Sequence, residues 1–185
     1  MSLTPGASTL PARYGALGAT WLDPTSSECF LHHMTGPTAY QIPNPALEPF
    51  SVLIGDWTTV GSHPMLPGKT FHGLTTFAWF EGGAFLIMRS EIYEPEIPDG
   101  IAIFGSDDTL GTHHMLYFDE RGVSRLYELS LRDNVLRWSR DAPGFAQRFN
   151  IRIVDPGLTM IGEGELSRDG ATWDEDLALT YTRLR

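Results

Sequence analysis

From residue 55 onward, apolar and polar positions alternate with period two, and turn signals break the alternation about every ten residues. This pattern predicts strands over 55–61, 69–79, 84–93, 101–106, 113–118, 123–131, 135–140, 145–154, 158–167 and 172–183. The connections carry Glu81-Gly82-Gly83, Asp119 to Gly122, Arg132 to Asn134, Asp155 to Gly157 and Arg168 to Gly170. Gly, Asn and Asp supply the unusual φ angles that hairpin turns demand. None of these links is long enough for a helical crossover, so the strands pair antiparallel with their neighbours in sequence. A sheet of about ten strands leaves two costly edges unless it closes. The expected fold is therefore all-β: a closed antiparallel up-and-down β-barrel of about ten strands over 47–185.

Residues 1–46 form a different region, rich in Pro, Gly, Ser and Thr and without sustained periodicity. Asp23 and Pro24 at one side and Gly36 at the other bracket a short helix, with Phe30, Leu31 and Met34 on its apolar side. Trp21, Phe30 and Tyr40 point to an arm that packs on something, as a surface strap, a lid or a dimer arm. Asn44 and Pro45 start a second short helical turn that ends before Gly55.

Alternation also assigns faces. The apolar face of 123–131 carries Arg125 and Tyr127 inward with Leu129 and Leu131. In the same way Leu136, Trp138 and Arg140 point inward, as do Gln147, Phe149, Ile151 and Ile153. Phe71, Thr75 and Phe77 go in and His72 goes out. Over 172–183 the inward set is Trp173, Glu175, Leu177, Leu179 and Tyr181. Strands 84–93 and 113–118 are apolar on both faces, which leaves the facing of Arg89, Glu91, His113 and His114 open.

Composition narrows the function. Thirteen basic against 23 acidic side chains give a net charge of −10, a surface that repels nucleic acid and anionic membranes. Hydrophobic residues at 42% suffice for one core. One cysteine, Cys29, excludes an internal disulfide and a Cys-rich zinc site. No basic-then-apolar leader opens the chain, and no apolar run is long enough for a membrane helix. A cytoplasmic protein is expected.

The segment Gly55-Asp-Trp57-Thr-Thr-Val-Gly61, opening the first strand after a short helical turn, resembles the start of calycin barrels. These include lipocalins, fatty-acid-binding proteins and especially the nitrobindin-like branch. Nitrobindin-type proteins carry Gly-x-Trp-x-Gly-x-Gly there, and Thr59 replaces one glycine here. The stretches 63–68 and 81–86 are similar to bacterial lipocalin-like domains of unknown function in that branch. The resemblance implies an interior ligand cavity, with Trp57 closing one end. Haem-binding members use a histidine on a late strand, and no histidine follows His114 here. The resemblance therefore does not extend to haem chemistry, and no cofactor is expected.

Of the six histidines, the pairs His32-His33 and His113-His114 are adjacent. Neighbours on a strand face opposite ways and do not share a metal, and Cys29 with His32 and His33 makes only one isolated cluster, so no metal site is expected. No nucleophile elbow or phosphate loop is present. Glu91, His113 or His114, Glu163 and Glu175 are the acid–base candidates, each also readable as a rim or surface residue.

The positive charges assigned to the interior carry more weight. Pairing about the Arg132–Asn134 turn sets Arg140 opposite Tyr127 and diagonal to Arg125. Together they could hold one anionic or carbonyl group, in a pattern similar to the Arg-x-Tyr clamp of fatty-acid-binding proteins, which lies on the final strand. An internal ion pair with Glu175 or Glu91 is the alternative. The ligand site expected is thus Arg125, Tyr127 and Arg140 as the polar end, with Trp57 and Trp138 among the apolar walls. Its function would be to bind a small, mainly apolar molecule with a polar or anionic head group. Two other readings stand beside it: a cofactor-independent isomerase or cyclase in the same cavity, and a homodimeric interaction module whose interior is filled by side chains.

Overall fold

The computed structural model describes residues 41–185. The expectations for the arm, including its helix, Cys29, His32 and His33, lie outside the described residues. A 3-10 helix, η1 (Pro45–Leu53), leads into ten strands: β1 (Gly55–Ser62), β2 (Phe71–Phe80), β3 (Phe85–Ile92), β4 (Gly100–Asp107), β5 (Thr112–Asp119), β6 (Ser124–Arg132), β7 (Val135–Arg140), β8 (Ala146–Asp155), β9 (Thr159–Ser167) and β10 (Asp174–Arg183). Every strand pairs antiparallel with its sequence neighbours, and β10 closes on β1. The expected up-and-down barrel is the fold. Among the described residues no helix is long and apolar enough to cross a membrane.

The turns set the register. Asp133 and Asn134 both take positive φ, 52° and 60°, the conformation of a two-residue hairpin turn. That turn pairs Arg132 with Val135 and Leu129 with Trp138. Continued one step past Glu128 and Ser139, the same register sets Tyr127 across from Arg140.

One end of the barrel is sealed. Asn44 caps η1 by accepting the Ala46 amide at 3.0 Å. The helix drives Leu47, Phe50 and Leu53 into the barrel, each at most 1% exposed. Trp57 lies just above them, fully buried, donating its indole N–H to the Leu53 carbonyl at 2.8 Å. The Arg183 guanidinium sits 4.7 Å from the Trp57 ring centroid and donates to the Ile54 carbonyl. Gly55 makes room for it: a Cβ there would lie 2.4 Å from Arg183 Nη1. His113 points inward at this end, its Nε2 2.9 Å from the Ala46 carbonyl oxygen and its ring against Phe50.

The inward sets of β2, β6, β7 and β8 agree with alternation. In the two ambiguous strands, Leu86, Met88, Met115 and Tyr117 go in, while Arg89, Glu91 and His114 go out. β10 departs from the alternation. Asp174 and Glu175 pair with Leu166 and Glu165, but Ala178 pairs with Glu163, so two residues of β10 oppose one of β9. This bulge turns Asp176 inward and leaves Glu175 exposed outside, a correction to the assignment of Glu175. Trp173 is likewise outside, stacked under Arg148 at 4.0 Å.

Candidate functional site

At the end opposite η1, the β6–β8 wall carries the half-buried inward side chains Arg125, Arg140 and Gln147 beside the buried Tyr127, while Phe71 on β2 is fully buried. Arg125 is the second residue of β6, Arg140 the last of β7 and Gln147 the second of β8, so strand order alone gathers them. Arg140 and Gln147 are direct partners in the β7–β8 register. The Arg125 guanidinium lies over the Phe145 ring at 4.1 Å, a cation–π arrangement.

A hydrogen-bond chain crosses this mouth. Tyr127 donates its hydroxyl to Gln147 Oε1 at 2.7 Å, and Gln147 Nε2 donates to Asp176 Oδ2 at 2.9 Å. Asp176 Oδ1 meets His63 Nε2 at 2.9 Å. The Met65 amide donates to His63 Nδ1, so Nε2 carries the proton given to Asp176. The Asp176 carboxylate is therefore committed to His63 and Gln147. Among the described residues neither Arg125 nor Arg140 has a carboxylate oxygen within 4.0 Å. Burial pushes the Tyr127 hydroxyl above its ordinary range, and the neighbouring Arg125, by hydrogen bonding and charge, then the Arg140 charge pull it partly back. Both guanidinium groups thus act electrostatically on the same phenol oxygen.

Tyr117, edge-on to Tyr127 with centroids 6.5 Å apart, continues the mouth along β5. Burial, then the negative Asp119, push its hydroxyl well up, and it donates to Asp119. Asp119 itself is bound by Arg121, through the backbone amide and a 2.6 Å contact from Nη2.

Below the arginines the wall turns apolar. Trp138 stacks flat on Phe149, with centroids 4.8 Å apart and planes 9° apart. One step deeper Leu136 and Ile151 are fully buried, as are Met115 and Met160 nearby. Side chains with no accessible surface border no water-sized void, and at the Trp138 layer Leu129 and Phe149 are only 5% and 4% exposed, so the barrel below the mouth is filled by side chains.

Four of the five expected site residues, Arg125, Tyr127, Trp138 and Arg140, come together at this mouth. Trp57 does not join them: it lies four residues down β1 from Gly61, in the sealed end. The structure adds His63, Gln147 and Asp176. Gln147 was legible as an inward residue, whereas Asp176 is brought in by the bulge and His63 stands on a loop. Of the acid–base candidates, Glu91 and Glu175 are exposed outside and Glu163 is outside against Arg152, so they form no shared centre.

Among the described histidines, His63 uses both nitrogens and the inward His113 is bound in the sealed end, while His72 and His114 face outward. These do not fit an axial haem ligand in the lumen. A groove of about 360 Å³ on the outer wall is lined by Glu91, Asp99, Asp119 and Glu120 beside Arg89. Its surplus of carboxylates would repel an anion, so the mouth is the better anion site.

The chain matches no protein-family model and no curated protein. Among solved structures it is similar to "Crystal Structure of Rv2717c from M. tuberculosis", with a TM-score of 0.57 and 16% identity over 76% of this chain and 98% of that one. This likeness is one of fold.

Proposed function

We propose that the barrel binds a small, mainly apolar molecule through an anionic head group held at the mouth by Arg125 and Arg140 beside Tyr127. One observation carries this reading: two inward guanidinium groups share a mouth in which, among the described residues, neither has a carboxylate oxygen within 4.0 Å and the inward Asp176 is bonded to Gln147 and His63. A half-buried guanidinium without a carboxylate partner keeps only part of its hydration. An incoming anion offsets that loss with charge-assisted hydrogen bonds of about 1.5–3 kcal/mol each. The structural alternative, an internal ion pair, lacks its carboxylate because Glu175 and Glu91 are both outside.

The acid–base reading has less support. Gln147 separates Tyr127 from the Asp176–His63 pair, and an amide does not pass a proton along such a chain. The closed ten-strand barrel and the Gly55–Trp57 opening support placing the chain with calycin-like ligand carriers, and the cysteine-poor composition supports a cytoplasmic setting.

Titration of the full chain with apolar acids and their methyl esters, followed by tryptophan fluorescence, tests the proposal. Acids bind at one equivalent, esters bind at least tenfold more weakly, and Arg125→Met and Arg140→Met each weaken the acids at least tenfold. Equal binding of acid and ester would contradict it.

A further inference from the structure

The outer wall of the barrel has two unlike halves. On β7, β8 and β9 it is polar and paired within itself: Arg137 donates to Asn150, Arg148 to Glu165 and Arg152 to Glu163. From β2 to β6 it is apolar. Ala78, Ile87, Ile103, Leu116 and Leu126 are successive cross-strand partners, one continuous outward row over five strands. In the next outward row toward the mouth, Ile101 pairs with Phe118. Leu116, Phe118 and Leu126 are 41%, 37% and 58% exposed. Apolar side chains scattered singly over a surface need no partner, whereas a contiguous apolar face marks an interaction site.

The face has the size of an interface centre. Five strands about 4.8 Å apart span roughly 19 Å, and the three outward positions of β3 from Phe85 to Arg89 span roughly 14 Å. With side-chain width added this is on the order of 400 Å², the apolar middle of a standard interface of about 800 Å² per partner.

The charges at its margin identify the partner. Arg89 lies two residues beyond Ile87 on β3, toward the mouth, and Glu128 two residues beyond Leu126 on β6, toward the η1 end. They stand at diagonally opposite corners of the face. The midpoint between them falls between Ile103 on β4 and Leu116 on β5, the middle of the apolar row from β3 to β6. Both are exposed, and among the described residues neither is in an ion pair. A two-fold axis through that midpoint, lying in the face and perpendicular to the diagonal, carries each corner onto the other. It sets Arg89 of each copy against Glu128 of the other, and Leu126 of each copy onto the Ile101–Phe118 pair of the other. The strands of the two copies then cross at nearly a right angle, one of the two accepted arrangements of packed sheets. An isologous contact needs a surface complementary to itself, and opposite charges placed symmetrically about an apolar centre supply that.

We infer that the outer face of β2–β6 is the contact surface of a homodimer, with two Arg89–Glu128 pairs at its margin. The inference is independent of anion binding at the mouth, since it uses none of the mouth residues.

The test is sedimentation equilibrium of the full chain at micromolar concentrations. The mass of two chains is expected. Leu126→Lys should weaken dimerisation at least about tenfold, with an unchanged circular dichroism spectrum showing that the barrel is folded. Arg89→Glu and Glu128→Arg should each weaken it at least about tenfold by setting like charges against each other, and the two together in one chain should restore most of the affinity. A single-chain mass at every concentration would overturn the inference and leave the face to a different occupant, the N-terminal arm or another protein. A dimer that persists in Leu126→Lys would place the contact elsewhere on the barrel. Single charge variants that dimerise as well as the natural chain, or a double variant as weak as either single one, would overturn the two-fold arrangement.

Discussion

Gly55, Trp57 and Arg183 show how one residue type can decide a neighbour's fate. Gly55 has φ of 138°, a conformation L side chains rarely adopt, and the Arg183 guanidinium occupies the place a Cβ would take. The guanidinium in turn covers the Trp57 ring and satisfies the Ile54 carbonyl. Gly55→Ala must both strain the backbone and displace Arg183. It is expected to cost about 2 kcal/mol in urea unfolding, as incompatible φ angles and lost packing do. An unchanged midpoint would show that the end of the barrel adapts. At the mouth, Arg125, Tyr127, Trp138 and Arg140 were legible because strict alternation fixes their face. Arg183 was not, because only the closure of β10 on β1 brings it to Trp57. His63 was not either, because a loop residue has no period to read.

At the scale of elements, alternation located all ten strands, since each hairpin turn is marked by Gly, Asn or Asp. It failed to orient β3 and β5 for a physical reason. Ile87, Ile103, Leu116 and Leu126 lie in one cross-strand row on the outer face, so apolarity there no longer marks the interior. It failed on the first part of β10 because a bulge shifts the period by one, and no residue in that stretch announces it. The bulge has a testable consequence. Asp176→Ala releases both His63 and Gln147, and should lower stability by about 1–3 kcal/mol, the cost of leaving such partners unsatisfied. The β5–β6 turn carries a pH signature. The Arg121 guanidinium and backbone amides hold the Asp119 carboxyl below the usual carboxylate range despite burial. A carboxyl depressed in the fold stabilises fully above its unfolded value and loses that contribution as pH falls through its folded value. The urea midpoint should therefore decline below about pH 4, and Asp119→Ala should make that decline shallower. Identical slopes would show that Asp119 is not a contributor.

Across the whole molecule, the two ends of the barrel divide the work. The sealed end gathers Leu47, Phe50, Leu53 and Trp57 and contributes stability. The mouth holds two inward arginines without a carboxylate oxygen within 4.0 Å among the described residues, inside a chain of net charge −10. Charge kept for a ligand costs stability in its absence. Arg140→Met should accordingly leave the ligand-free barrel as stable or raise it by up to about 1 kcal/mol, while weakening acid binding. A clear loss of stability in denaturant unfolding would mean that Arg140 serves the fold. The position of a bound acid tests anion binding at the mouth most directly. A crystal structure of the full chain with an apolar acid that binds in the titration is expected to show its carboxylate within hydrogen-bond distance of both Arg125 and Arg140. Arginines turned out to solvent, or the acid lodged on the outer wall, would contradict it.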